Sequence, residues 1–196
     1  CGVTDTIVFL IITTVLRDRM KSPALVALLV LFLSASATAV TLVPAPPGIN
    51  ADAYLLIDFA TGEVLVEHNI DTRLPPASLT KLMTSYILAE EVDAGRLSLD
   101  DEVTVSRNAW SQNPKFRGSS LMWIEPGKSV TVGELEQGIA ISSGNDATVA
   151  IAEHIAGSEE AFVALMNRYA EELALTATHF ENTHGLPNSD HLTTAR

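Results

Sequence analysis

The sequence predicts an α/β fold in which a β-hairpin leads into an amphipathic helix and then a cluster of helices, with later strands needed to complete the sheet. Three observations carry that reading. Two apolar, strand-length runs lie between Ala53 and His68, the hydrophobic period changes from two to 3.6 after Pro75-Pro76, and Gly157-Ser158 separates two helix-length segments. Bulk composition agrees: 196 residues with 47% apolar and 18% charged side chains build one ordinary core, and 11 Gly with 9 Pro exclude collagen-like and low-complexity classes.

In chain order, Met20 to Ala39 has the three parts of a secretory leader: Lys21 after a Met, an apolar run from Ala24 to Leu33, and small residues ending Ala37-Thr38-Ala39. That run is ten residues long, whereas a bilayer span needs about 20. Residues 1–19 are read as sequence upstream of a start at Met20, so Cys1, the single cysteine, leaves the exported chain without a thiol. The net charge is −12, from 12 basic and 24 acidic residues, with no basic cluster to grip a phosphate backbone. Nucleic acid is therefore not expected as a partner.

Residues 40–50 form a stiff Pro-rich linker, because the prolines of Val43-Pro44-Ala45-Pro46-Pro47-Gly48 fix the backbone and donate no hydrogen bonds. The domain then occupies residues 51–196. Ala53–Phe59 and Glu63–His68 make the hairpin around Ala60-Thr61-Gly62. Leu79, Leu82, Met83, Tyr86 and Ile87 form one helical stripe, expected to face the core, on a helix closing near Gly95. Short strands are expected at Val103–Val105 and Val130–Val132, and helices at Gly133–Ile141, at Asn145–Ala156 ended by Gly157, and after the cap Ser158. The last carries Phe162, Leu165, Met166, Tyr169, Ala170 and Leu173 as its stripe.

Chemistry concentrates in two places. Ser78 and Lys81 are three residues apart at a helix start, so the amine can fold back onto the hydroxyl. A serine with an adjacent neutral amine is a reactive nucleophile, and burial is one way to keep the amine neutral. The second place is Ser143-Gly144-Asn145, at the junction of two apolar segments, where a hydroxyl and an amide can share a cleft. Ser106-Arg107-Asn108 and Ser111-Gln112-Asn113 repeat the pattern, but in polar stretches that suit turns and caps. His179, His184 and His191 with Glu181 lack the paired helical spacing of a metalloprotease and read as solvated loop histidines, so no metal and no cofactor is expected. His68 and His154 read as structural.

Taken together, PPASLTKLMT, GSSLMWIEPG, ISSGNDATVAIAEHIAGSEEAFVALMN and THFENTHGLP resemble the serine D-alanyl-D-alanine carboxypeptidases, the low-molecular-weight penicillin-binding proteins of peptidase family S11. The resemblance runs from Ala51 to Arg196. It implies the fold of serine β-lactamases and DD-peptidases, a sheet flanked by helices plus an all-helical lobe, with the site between them. It also implies that Ser78 attacks the bond between two D-alanines of a peptidoglycan stem peptide, that Lys81 accepts its proton, and that penicillins and other β-lactams acylate the same serine. Ser143 would relay a proton and Asn145 would orient the substrate. His184 would lie near the cleft as a substrate contact.

The resemblance further implies action outside the cytoplasm, in the periplasm. The family's third motif, Lys-Thr-Gly, does not occur in the 196 residues, nor do its downstream β-rich domain and C-terminal membrane anchor. The domain is therefore read as truncated before the later strands, and this piece by itself as inactive. A DD-endopeptidase shares all these features. A serine β-lactamase would show Ser-Asp-Asn where this chain has Gly144, and a catalytically silent cell-wall binding module would keep only the fold.

Overall fold

The structure is a computed structural model and describes residues 47–196; the leader, the upstream segment and most of the linker lie outside the described residues. Strands β1 (Tyr54–Ile57) and β2 (Val64–His68) pair antiparallel with Tyr54 opposite His68, and the turn is fixed by Asp58, which accepts hydrogen bonds from the Thr61 N–H and hydroxyl. A short 3-10 turn, Ala77–Thr80, opens directly into helix α1 (Lys81–Asp93). Strands β3 (Glu102–Thr104) and β4 (Ser129–Thr131) form a second antiparallel pair. Helices α2 (Val132–Ser142), α3 (Asn145–Ala156) and α4 (Glu159–Glu172) follow.

The local chemistry explains the boundaries. Thr131 and Glu134 make a reciprocal capping box at the start of α2. Gly157 closes α3 in the left-handed conformation that a residue without Cβ adopts at little cost, and the Ser158 hydroxyl then accepts from the Ala161 N–H to start α4. Helix α3 is the central element. Its residues Asn145 to Ala152 are all buried, the apolar ones against both clusters and Asn145, Asp146 and Thr148 through hydrogen bonds.

Two apolar clusters pack around α3. One joins Leu88, Val103, Val105, Phe116, Val132, Leu135, Ile139, Val149 and Ile151; the other joins Met83, Ile87, Phe162, Met166 and Phe180. Phe162 and Met166 are fully buried, and each contributes about 1.5–3 kcal/mol by leaving water. The last residues return beside the segment that leads into the Ala77–Thr80 turn: Leu74 and Thr193 exchange two backbone hydrogen bonds of 2.8 and 2.9 Å, and the Arg196 N–H donates to the Ile70 carbonyl.

One expectation is corrected. The stripe of α1 and its preceding turn does not face the core as a whole, since Leu79 and Leu82 are 66% and 71% exposed and Tyr86 is exposed too. The buried face is instead Thr80, Lys81, Met83, Thr84, Ile87 and Leu88. Its polar members each find a partner: Thr80 bonds to the His191 ring at 2.7 Å and Thr84 donates to the Thr183 carbonyl at 2.8 Å. Hydrogen bonding makes a polar face cheap to bury, and hydrophobic period alone cannot register that. The exposed leucines line a groove of about 380 Å³ with Met83, Leu175 and Phe180.

Candidate functional site

Ser78 sits in the 3-10 turn and is exposed, while Lys81, one turn on, is 5% exposed. The hydroxyl therefore faces solvent and the amine lies beneath it. The Lys81 ammonium donates to three acceptors: Asn145 Oδ1 at 2.6 Å, the His184 carbonyl at 2.8 Å and Ser78 Oγ at 3.3 Å. Ser143 Oγ donates to Ser78 Oγ at 3.2 Å. Four residues singled out in the sequence thus converge from three elements, the Ala77–Thr80 turn with α1, the C-terminus of α2, and the N-terminus of α3.

Burial lowers the Lys81 pKa to about 8, opposed by the negative charge of Asp146. An ordinary lysine near 10.4 would be almost wholly protonated at neutral pH; this one is neutral in a useful fraction of molecules. A neutral amine accepts the Ser78 O–H hydrogen, which leaves the oxygen ready to attack.

The backbone around Ser78 is bent. Ala77 and Ser143 both have positive φ, +48° and +52°. For residues with a Cβ such conformations cost of order 1–3 kcal/mol and persist only when the surroundings hold them. Gly185 supplies part of the hold: at φ +92° it packs so closely that a Cβ there would stand 1.8 Å from the Ala77 carbonyl oxygen. Only glycine admits both the conformation and the approach.

His184 reaches the site through its backbone. Its carbonyl accepts from Lys81, but the imidazole expected to contact substrate is buried, edge-on to the Phe116 ring and 3.5 Å from Glu159 Oε1. Its Nδ1 accepts from the Leu186 N–H at 3.1 Å, which requires the neutral ring, and burial pushes its pKa down to about 4. Glu159 in turn accepts from Lys115 at 2.9 Å.

The reading of the loop histidines as solvated holds for His179 and fails for His184 and His191, which are 5% and 1% exposed. The His191 Nδ1 accepts from the Glu181 N–H, so its Nε2–H donates to Thr80. Among the described residues, no group of three His, Cys, Asp or Glu is placed to hold a metal. His68 and His154, read as structural, are both exposed, although the His68 ring stacks on Tyr54. Ser106 and Asn113 serve as the turn and cap residues their sequence context suggested.

Sequence reasoning missed Asp146. It is fully buried at the start of α3, and its carboxylate accepts from the N–H groups of Met122, Trp123 and Ile124 at 2.8, 2.8 and 3.1 Å. The signal available was the acidic residue directly after Asn145, which by position alone cannot be told from an ordinary first-turn acid.

Residues 40–196 match the family described as D-alanyl-D-alanine carboxypeptidase, peptidase family S11. The chain is 48% identical over 151 residues to D-alanyl-D-alanine carboxypeptidase DacC of Escherichia coli, covering 76% of this chain and 38% of that protein. It is 50% identical over 152 residues to DacD of Salmonella typhimurium, covering 77% and 39%. The chain thus spans about two fifths of the length of these curated relatives. Among solved structures it resembles penicillin binding protein 6B from Escherichia coli, with a TM-score of 0.74 and 46% identity over 79% of this chain and 49% of that one.

Proposed function

Because the chain belongs to peptidase family S11, the D-alanyl-D-alanine carboxypeptidases, we propose that the protein removes the terminal D-alanine from peptidoglycan stem pentapeptides through an acyl-enzyme on Ser78. The observation that carries this reading is the buried Lys81 amine, with a pKa near 8, in hydrogen-bond contact with an exposed Ser78 hydroxyl.

In the first half-reaction the Ser78 oxygen bonds to the carbonyl carbon between the two D-alanines, and its proton passes to neutral Lys81. The C–N bond then breaks. The departing D-alanine nitrogen takes the proton back through Ser143, whose hydroxyl already touches that of Ser78. In the second half-reaction water adds to the ester carbon, Ser78 leaves with a proton, and the shortened peptide departs. Asn145 holds Lys81 through its Oδ1, so its amide nitrogen is the group offered to a substrate carbonyl.

A β-lactam presents the same carbonyl in a strained ring, so β-lactams are covalent inhibitors acting at Ser78. His184 is assigned a supporting part, through its carbonyl, instead of a substrate contact. The substrate and the leader-like residues 20–39 together support action outside the cytoplasm. In the full-length protein, fluorescent penicillin is expected to label the wild type and to leave Ser78→Ala unlabelled, with D-alanine released from a pentapeptide only by the former. Labelling of Ser78→Ala at the wild-type rate would move the nucleophile elsewhere.

A further inference from the structure

We propose that Asp146 is a positioning residue for acyl transfer: its carboxylate gathers the loop Ser120–Ile124 against the Ser143–Asn145 turn and so fixes Ser143 Oγ and Asn145 Oδ1 against Ser78 and Lys81. The inference rests on the function proposed above and adds a residue that touches no reacting atom.

The contacts are mutual. Asp146 takes three consecutive loop N–H groups, from Met122, Trp123 and Ile124, and also the Ala147 N–H of its own helix at 3.0 Å. Consecutive N–H groups converge on one anion only when the backbone curls into a nest, and Trp123 has the required left-handed φ of +69° although it carries a large side chain. The loop answers on the other side, where the Ser120 carbonyl accepts from the Asn145 N–H at 2.9 Å. Met122 closes the gap. A Cβ added to Gly138 would stand 2.3 Å from its sulfur, and one added to Gly144 would stand 3.0 Å from its nitrogen, so the loop packs directly on Gly138 of α2 and on Gly144 beside Ser143.

The two residues that hold Lys81 and Ser78 therefore sit on a turn braced by a single carboxylate. Asp146 is also the charge that counteracts burial at Lys81. The titratable groups around the His184 ring, Glu159 of α4 and Lys115, are engaged with one another and with that ring.

The experiment measures acylation of the full-length protein by fluorescent penicillin against pH, with amide hydrogen exchange on the same samples. In Asp146→Asn, one acceptor oxygen is replaced by a donor facing N–H groups. The plateau rate is expected to fall about tenfold to a hundredfold, since an error of about 1 Å in a catalytic constellation costs that much. The acid limb is expected to move to lower pH by about one unit, because Lys81 loses its counter-charge. Amides of Met122, Trp123 and Ile124 should exchange faster while those of α4 stay protected.

Asp146→Glu retains the charge and displaces the carboxylate. It should lower the plateau and leave the limb in place, and it keeps the inference testable if the asparagine variant does not fold. A plateau and limb like the wild type's in either variant would overturn the assignment. So would a slow variant whose limb has not moved in Asp146→Asn, or whose α4 amides open along with the loop, since either result marks a merely structural carboxylate. A wild type that penicillin does not acylate at Ser78 would remove the function proposed above, and this inference with it.

Discussion

Gly185→Ala is expected to slow acylation without altering any side chain that meets the substrate. The added methyl would lie 1.8 Å from the Ala77 carbonyl oxygen, about 1.6 Å short of the 3.4 Å at which ordinary van der Waals contact begins, and backbone on both sides prevents an easy escape. The loop carrying Gly185 must therefore move away from the Ala77–Thr80 turn by more than an ångström. The neighbouring His184 carbonyl then draws back from Lys81, whose 2.8 Å bond to it is lost. A hydrogen bond to a charged group is worth about 1.5–3 kcal/mol. The left-handed backbone costs an alanine about 1–2 kcal/mol more.

The combined destabilisation is about 2.5–5 kcal/mol, which lowers Tm by roughly 10 °C for a domain of this size. Displacement of the amine by about 1 Å should slow acylation about a hundredfold. Gly157→Ala is the control. It has a similar φ of +84° and nothing within 4 Å of the added Cβ, so it should lose only the about 1–2 kcal/mol of the left-handed backbone and no acylation rate. The assays are thermal unfolding and the second-order rate of fluorescent penicillin labelling. Gly185→Ala acylating as fast as Gly157→Ala would refute the argument that this close approach holds the lysine.

Three further outcomes are expected. Acylation should rise with pH through about 8 as Lys81 loses its proton, and Lys81→Arg, which cannot lose one in that range, should remain unlabelled at every pH tested. Ser143→Ala removes the hydroxyl touching Ser78 and should slow both acylation and D-alanine release at least tenfold, measured by labelling and by D-alanine assay. The folded His184 pKa of about 4 lies below its ordinary 6.5, so the unfolded chain binds the extra proton first and stability falls as pH drops from about 6.5 to 4. Thermal unfolding across that window should show the loss, and His184→Gln should flatten it, leaving the part due to Glu159, whose pairing with Lys115 also weakens on acidification.

The elements legible in the sequence are those set by local chemistry. The Gly157-Ser158 break and the antiparallel pairing of Ala53–His68 depend on residues close in sequence, and each lies where the pattern put it, whereas the Thr131–Glu134 cap, inside the expected strand Val130–Val132, starts the next helix at Val132, one residue before the expected Gly133. The Ser78–Lys81 pair was legible for the same reason, since one helical turn brings them together. The burial of Lys81 was not. It depends on Asn145 and the His184 carbonyl, 64 and 103 residues away, and those contacts turn Leu79 and Leu82 outward.

The histidines misled for a related reason. His184 and His191 lie in a segment rich in Asn, Gly and Pro that reads as a solvated loop, yet the segment folds inward over α1. Its buried groups are satisfied one by one, by Leu186, Glu181 and Thr80. Asp146 escaped notice because its partners are all backbone N–H groups, which carry no residue-type signature.

The most direct test is titration of the Lys81 amine itself, by nitrogen NMR of the full-length protein carrying labelled lysine, with Lys81→Arg used to assign the signal. Deprotonation centred near pH 8, accompanied by a change at the Ser78 hydroxyl, is the result expected. A midpoint at or above the ordinary value of about 10.4 would mean that the amine stays charged beside the serine, and would contradict the account.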